Sequence, residues 1–247
     1  MKTLDQSFDE PAMNLACDEI LLNEVDSGTR EATLRFWEPQ LPFVVIGYGN
    51  NINRECLIES CKQNKIQIFR RFSGGGAVLQ ASGCLNYSLI LPISTKEGTN
   101  NISSTNCHIM KTHQGAFTEA LSHKVTIEGH TDLALNGLKF SGNAQKRTKN
   151  ALVFHGTFLL NFDLELLDKS LRMPSVQPLY REGRSHDQFC TNIPLTVDSV
   201  KNLIKTAWQA NETAKPVDGE KISQLTNTKY SQKEWIYRQT KINHESE

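Results

Sequence analysis

The sequence predicts an α+β fold, a mixed β-sheet flanked by helices, on three observations. Its 247 residues are 38% hydrophobic and 22% charged, enough apolar material for a large core. Short strand-like runs bounded by Gly, Pro and Asn stand beside two helical stretches whose apolar residues step by four. No repeat, linker or low-complexity stretch divides the chain. One large domain over residues 1–215 is therefore expected, with a small appendage over 216–247.

The first helix reads from Asp9 to about Val25. Pro11 suits its opening turn, Asp9 and Glu10 favour the positive end of its dipole, and Ala12, Ala16, Ile20 and Glu24 mark one face. Strands follow over Thr33–Trp37, Phe43–Gly47, Ile66–Arg71 and Leu85–Leu91. A second helix spans about Thr105–Leu121, with Ile109, His113, Phe117 and Leu121 in step and caps among Ser103–Asn106. Two further strands, Leu133–Gln145 and Ala151–Phe162, joined by the basic turn 146–150, make a hairpin. Beyond Leu164 come short helices and polar loops, then a helix over about Val197–Ala210. From Val217 the chain is polar and poorly periodic, which predicts a small appendage with a frayed end.

Composition excludes several classes of function. Lys+Arg and Asp+Glu are equal at 27, so the broad positive surface of a duplex-binding protein is absent and no nucleic-acid partner is expected. The start, Met1-Lys2-Thr3-Leu4-Asp5-Gln6, lacks a secretory pattern, and runs such as Leu89-Ile90-Leu91 are too short to span a bilayer. A cytoplasmic monomer without membrane contact is the expectation. Cys17, Cys56, Cys61, Cys84, Cys107 and Cys190 form no CxxC pair, which fits free thiols and no zinc site.

Three neighbourhoods carry chemistry. In Arg70-Arg71-Phe72-Ser73-Gly74-Gly75-Gly76-Ala77-Val78 the glycines bring backbone N–H groups close to a ligand, and the arginines suit a carboxylate or phosphate. A bare Gly run also makes ordinary bends, and neither a Walker loop nor a GxGxxG spacing is present. In Gly137-Leu138-Lys139-Phe140-Ser141-Gly142, strict alternation places Lys139 opposite Leu138 and Phe140, on a face flanked by Gly137 and Ser141. Taken alone, a solvated hairpin lysine is the simpler reading. The third is His155-Gly156-Thr157 within an apolar strand, where a lone histidine is equally at home as a packed residue. Between Lys139 and Arg184 eight Lys+Arg face four Asp+Glu, a local positive excess that suits a nucleotide phosphate.

Taken together, and in this order, Met13-Asn14-Leu15-Ala16-Cys17-Asp18-Glu19, Val45-Ile46-Gly47, the Arg70–Val78 block, Gly83-Cys84-Leu85-Asn86-Tyr87-Ser88, the Gly137–Gln145 block and His155-Gly156-Thr157 resemble the lipoate-protein ligase A family of the biotin/lipoate ligase superfamily. The resemblance covers residues 9 to about 195. It implies the superfamily's catalytic fold and a two-step reaction: lipoate and MgATP give lipoyl-AMP, and a lysine of an acceptor lipoyl domain or lipoate-binding protein takes the acyl group. It puts the essential lysine at Lys139 and the nucleotide and its Mg²⁺ at Asp132, within Gly129-His130-Thr131-Asp132-Leu133. It places Arg71, Gly74, Gly75 and Gly76 beside lipoyl-AMP, with Ser73, Ala77, Val78, Asn86, Ser141, Gly142, Ala144, His155, Gly156 and Thr157 lining the same cleft. Trp37, Val45 and Val78 are candidates for the slot that takes the apolar tail.

The sequence also departs from that family. Leu79, Gln80, Ala81 and Cys84 stand where an aromatic residue, His-Asp and the first Asn of Gly-Asn-Leu-Asn are usual, so those roles are not carried over. The length leaves no space for the accessory domain of about a hundred residues that many of these ligases carry, and a separate accessory chain is one expectation that follows. The nearest rival is an octanoyl or lipoyl transferase that uses a cysteine thioester, for which Cys84 is the candidate. Residues 120–138 hold no cysteine, and Asp132 matches the ligases. Biotin ligase lacks support because its Gly-Arg-Gly signature is missing. A non-catalytic binder of lipoate or acyl-adenylate has no need of Lys139, Asp132 and His155 together.

Overall fold

The computed structural model describes residues 1–95, 98–174 and 176–239. In chain order they form β1 (Lys2–Asp5), α1 (Pro11–Asp26), β2 (Thr33–Trp37), β3 (Phe43–Ile46), α2 (Ile52–Glu55), α3 (Ile58–Gln63), β4 (Gln67–Arg70), β5 (Val78–Gln80) and β6 (Cys84–Pro92). Then come α4 (Ile102–Leu121), β7 (Val125–Glu128), β8 (Asp132–Leu135), β9 (Leu138–Arg147), β10 (Ala151–Leu159), α5 (Glu165–Ser170), α6 (His186–Phe189), α7 (Val197–Ala207), β11 (Glu212–Thr213), α8 (Gly219–Leu225) and α9 (Lys233–Ile236). An eight-stranded sheet runs β11-β1-β2-β6-β10-β9-β8-β7, and a small sheet runs β4-β3-β5. Both are mixed: β1 pairs parallel to β2 and β11, and β3 parallel to β4, while the other pairings are antiparallel. The α+β expectation holds.

Strand alternation divides the interior into two layers. On β6, Leu85, Tyr87, Leu89 and Leu91 face one side, where α4 and α7 cover them with Ile109, Phe117, Val200 and Ile204. Cys84 and Ile90 face the other, against α1 and the small sheet. β10 repeats the pattern, with Leu152, Phe154 and Phe158 toward α4 and Ala151 and Val153 toward α1. The positions that share the α1 side but are polar, Asn86, Ser88, His155 and Thr157, stand out on that side of the sheet.

Element boundaries differ from the sequence reading for identifiable reasons. The single strand expected over Leu133–Gln145 is two strands, because Asn136 and Gly137 take positive φ (52° and 76°) and close a two-residue hairpin between Leu135 and Leu138. The second helix starts earlier than expected. Asn101 caps it by accepting from Ser104 N–H, and the Ser104 hydroxyl accepts in turn from Asn101 N–H. β1, β5, β7 and β11, each of four residues or fewer, are not anticipated from the sequence, because they lack the continuous apolar run that announces the equally short β3. The polar segment from Val217 is packed: Val217, Ile222, Tyr230 and Ile236 join the core layer on the α1 side. The expected frayed end lies in residues 240–247, outside the described residues. Among those described, no helix is long and apolar enough to cross a membrane.

Candidate functional site

The site is built on two cross-strand rows. Register places Gly142, Thr157, Asn86 and Trp37 side by side on β9, β10, β6 and β2, and Ala144, His155, Ser88 and Arg35 beside them. Residues far apart in sequence thus become neighbours because antiparallel pairing aligns them.

Lys139 reaches this surface through an irregularity. Leu133 pairs with Ser141 but Ala134 pairs with Lys139, so Phe140 is an extra residue, a β-bulge. Phe140 and Ser141 consequently both turn toward the α4 side. Phe140 packs on Phe117 at 5.3 Å, and Ser141 is buried and accepts from Asn143 Nδ2 at 3.3 Å. Lys139 instead lies across Gly142, where a Cβ would come within 2.7 Å of its Nζ, so a side chain there would displace the lysine from this position. Its Nζ pairs with Asp132 Oδ1 at 2.8 Å, and the Tyr180 hydroxyl donates to Asp132 Oδ2 at 2.9 Å. Burial, followed by the Asp132 carboxylate, raises the Tyr180 phenol above its ordinary value, so it stays a donor.

The glycine loop closes over the rows. Gly75, at φ 86°, meets Ala144, and a Cβ on Gly47 would stand 2.0 Å from Gly75 O, so the two chains touch backbone to backbone. Arg71 sits under the loop and donates to Gly74 O (3.0 and 2.7 Å), Gly76 O (2.8 Å) and Val45 O (3.3 Å). Carbonyl and amide of one planar trans peptide point oppositely, so these bonds aim the N–H groups of Gly75 and Ala77 away from Arg71. Burial lowers Arg71 only to about 10, and it keeps its charge at neutral pH. Arg70 donates to Gly47 O, Tyr48 O, Asn50 O, Trp235 O and Ile236 O, and so ties the small sheet to the carboxy-terminal segment. Both arginines therefore hold backbone, where the sequence had suggested ligand contacts.

Behind the loop the polar side chains satisfy one another. Ser73 Oγ and His155 Nε2 share a hydrogen bond of 2.6 Å. Burial, reinforced by Arg71, lowers His155 to about 4, so it is neutral at pH 7. Gln80 donates to Thr157 (2.7 Å), Thr157 to Asn86 (2.5 Å) and Asn86 back to Gln80 (2.8 Å), a closed ring. Gln80 thus turns a departure from the expected pattern into a satisfied partner of Thr157. Val78 and Ala77 are half-buried beside the loop, and Trp37 is buried in near-parallel contact with Phe43 at 6.4 Å.

The structure brings Lys139, Asp132, Gly142, Ala144, Ser73, Gly75, His155 and Thr157 to one surface. It does not bring Ser141, nor Gly156, where a Cβ would run into Asn143 Oδ1 on the α4 side. Cys84 is sealed in the core, and burial pushes its thiol up to about 12. Sequence reasoning did not single out Tyr180 as a site residue. It also missed Cys190, which forms a backbone bridge with Lys139 while Thr191 N–H donates to Lys139 O at 2.9 Å. Burial raises that thiol, against the opposing charges of Lys139 and Arg181. No local spacing announces either residue.

The fold is a two-sheet α+β architecture that brings a lysine–carboxylate pair and a glycine loop onto one face of the sheet. Residues 10–219 match the family model of the lipoyl protein ligase A/B catalytic domain, and the chain belongs to that family. It is 33% identical over 183 residues to a protein of Mycoplasma pneumoniae named a probable lipoate-protein ligase A, covering 74% of this chain and 52% of that one. The chain thus spans about half the length of that relative. Lipoate-protein ligase 1 of Staphylococcus aureus is 28% identical over 258 residues, 98% of this chain and 75% of that protein. Octanoyltransferase LipM of Oceanobacillus iheyensis is 27% identical over 205 residues, 77% and 75% of the two chains. The related enzymes therefore include both ligases and octanoyltransferases. A lipoate-protein ligase A bound with ATP shares the fold, with a TM-score of 0.81 at 23% identity over 96% of this chain and 98% of that one.

Proposed function

We propose that this chain is an ATP-dependent lipoate-protein ligase, which joins the lipoate carboxylate to the α-phosphate of ATP with release of pyrophosphate and then passes the acyl group from AMP to a lysine of an acceptor lipoyl domain. The observation that carries this reading is Lys139 Nζ, held 2.8 Å from Asp132 across Gly142, on the strand that the glycine loop crosses with the N–H groups of Gly75 and Ala77 turned away from Arg71. Attack of a carboxylate on an α-phosphate brings two anions together. Lys139 supplies the positive charge between them, and the N–H groups of Gly75 and Ala77 supply fixed dipoles for the phosphate oxygens. His155 is neutral, so it orients Ser73 by hydrogen bonding and adds no competing charge. Among the described residues no cluster of three His, Cys, Asp or Glu is present. A single carboxylate fits Mg²⁺ that arrives with nucleotide phosphates, and Asp132 is the side chain that would face it. The ion would supply charge neutralisation at the phosphates. Trp37, Val45 and Val78 are the apolar residues offered to the lipoyl tail, and a dry cleft protects the mixed anhydride from hydrolysis. In the second step the acceptor amine attacks the acyl carbon and AMP departs. A separate accessory chain belongs to the same proposal, because a neighbour in fold from Thermoplasma acidophilum is described as a bi-partite ligase.

Mass spectrometry of a lipoyl domain tests this reading, comparing lipoate with MgATP against octanoyl carrier protein without ATP. Modification only in the second mixture would overturn it. The thioester reading keeps one supporting observation, Cys190 beside Lys139, whereas Cys84 is buried and far from ionisation at neutral pH. Cys84→Ser and Cys190→Ser are both expected to keep ATP-dependent lipoylation within about threefold of the parent. Abolition by Cys190→Ser would favour the transferase.

Tyr180 positions Asp132, which positions Lys139. Tyr180→Phe removes one hydrogen bond to a charged group, so kcat for adenylation is expected to fall about tenfold with little change in KM. A rise in KM with kcat intact would assign Tyr180 to substrate binding instead.

A further inference from the structure

On the far side of the glycine loop from Lys139, a group of side chains takes no part in the chemistry above. Tyr48 is 39% exposed, and its backbone N–H donates to Ser73 O at 2.8 Å, which fixes it beside the loop. The Arg238 guanidinium carbon lies 4.0 Å from the centre of the Tyr48 ring and 5.1 Å from that of Trp235. Lys146 Nζ approaches the Tyr48 ring to 5.7 Å. Both cations are exposed, and neither has an acidic partner among the described residues. Lys229 makes the contrast: it stands 4.2 Å from the Trp235 ring, but Glu19 neutralises it at 2.7 Å. Aromatic faces hold a cation in place without cancelling its charge. The result is a partly exposed aromatic floor with two positive charges that no acidic side chain among the described residues compensates, on a protein whose net charge is zero.

β9 connects this rim to the site. Ala144 meets the loop at Gly75, and Lys146 follows two residues later on the same face. At about 3.3 Å per residue that is about 7 Å beyond the crossing, and about 20 Å along the strand from Lys139. A small reactant seated at Lys139 would not also occupy the rim. A macromolecule would, because its lysine must enter the cleft while its body stays outside. Exposed Tyr, Trp and Arg are the side chains from which interface anchors are built.

We propose that Tyr48, Lys146, Trp235 and Arg238 form the docking surface for the acceptor protein and meet it through an acidic face. This proposal rests on the ligase reading. Two fixed charges suit a carboxylate-bearing protein surface, whereas nucleic acid binding draws on a longer run of phosphate contacts. Charge at such a rim acts on encounter and shows a strong salt dependence.

The test uses the full chain carrying Lys146→Glu and Arg238→Glu together, with a recombinant apo-lipoyl domain as the probe. Two rates are measured: lipoate-dependent ATP–pyrophosphate exchange, which needs no acceptor, and lipoylation of the domain across a range of salt. The expected result is unchanged exchange with a rise of about tenfold in acceptor KM at low salt that shrinks as salt increases. Intact exchange with unchanged acceptor KM would overturn the docking surface. Loss of exchange in the variant alone would also overturn it, by placing these residues in adenylation. A weaker grip on a mixed-sequence oligonucleotide, with acceptor KM unmoved, would reassign the rim to nucleic acid. No exchange in the parent protein would refute the ligase reading itself.

Discussion

Lys139→Ala is expected to cut lipoate-dependent pyrophosphate release from ATP by about a thousandfold, the scale seen when one fixed transition-state stabiliser is deleted. The melting temperature should barely move. The Lys139 side chain is 28% exposed, and Asp132 keeps the Tyr180 hydroxyl as a partner when the lysine is gone. Lys139→Arg should not restore activity, because a planar, delocalised guanidinium does not reproduce the compact point charge of the Nζ ammonium held 2.8 Å from Asp132 Oδ1. Undiminished pyrophosphate release in Lys139→Ala would remove this lysine from the chemistry.

The largest stability effect is expected at Asp18. Its Oδ1 pairs with Arg35 Nη1 at 2.6 Å, and its Oδ2 accepts from Ser88 at 2.8 Å. Arg35 is fully buried, and its remaining donors go to Gln6 O, Asn14 O and Asn14 Oδ1, all uncharged. Asp18→Ala leaves a guanidinium charge in the core with no counter-charge, at a cost of about 3–5 kcal/mol. In a chain of this size that corresponds to a fall in Tm of roughly 10 °C. Urea melts with an unchanged slope check it. A loss below about 1 kcal/mol would show that the neutral partners suffice. Replacing both partners with apolar residues of similar volume should recover much of the loss.

The helices and the central strands were legible because periodicity alone reports them: Ile109, His113 and Phe117 on α4, and the alternation of β6 and β10. The Gly74–Gly76 loop, Lys139 and His155 were legible as blocks in a fixed order. Their mutual placement was not, since it depends on register: Ala144 opposite His155 and Gly142 opposite Thr157 are facts of pairing between strands. The arginines were misleading because a guanidinium that supports a loop and one that binds a ligand look the same in a sequence. The carboxy-terminal segment read as a small appendage with a frayed end for a similar reason. Its few apolar residues have no regular period, yet Tyr230 and Trp235 reach Glu19 and Arg70 O across more than 160 positions of chain.

The bulge at Phe140 gives β9 two reading frames. Before it the odd-numbered Lys139 belongs to the cleft; after it the even-numbered Gly142 and Ala144 do, and Lys146 continues their face out to the rim. Loss of one residue at Phe140 would leave the cleft side of the strand unchanged in composition. Loss of one residue between Gly142 and Lys146 would exchange the inward and outward sets and turn Lys146 toward α4. Chimeras that graft this hairpin between relatives therefore succeed or fail on the parity of the graft, whatever its percentage identity.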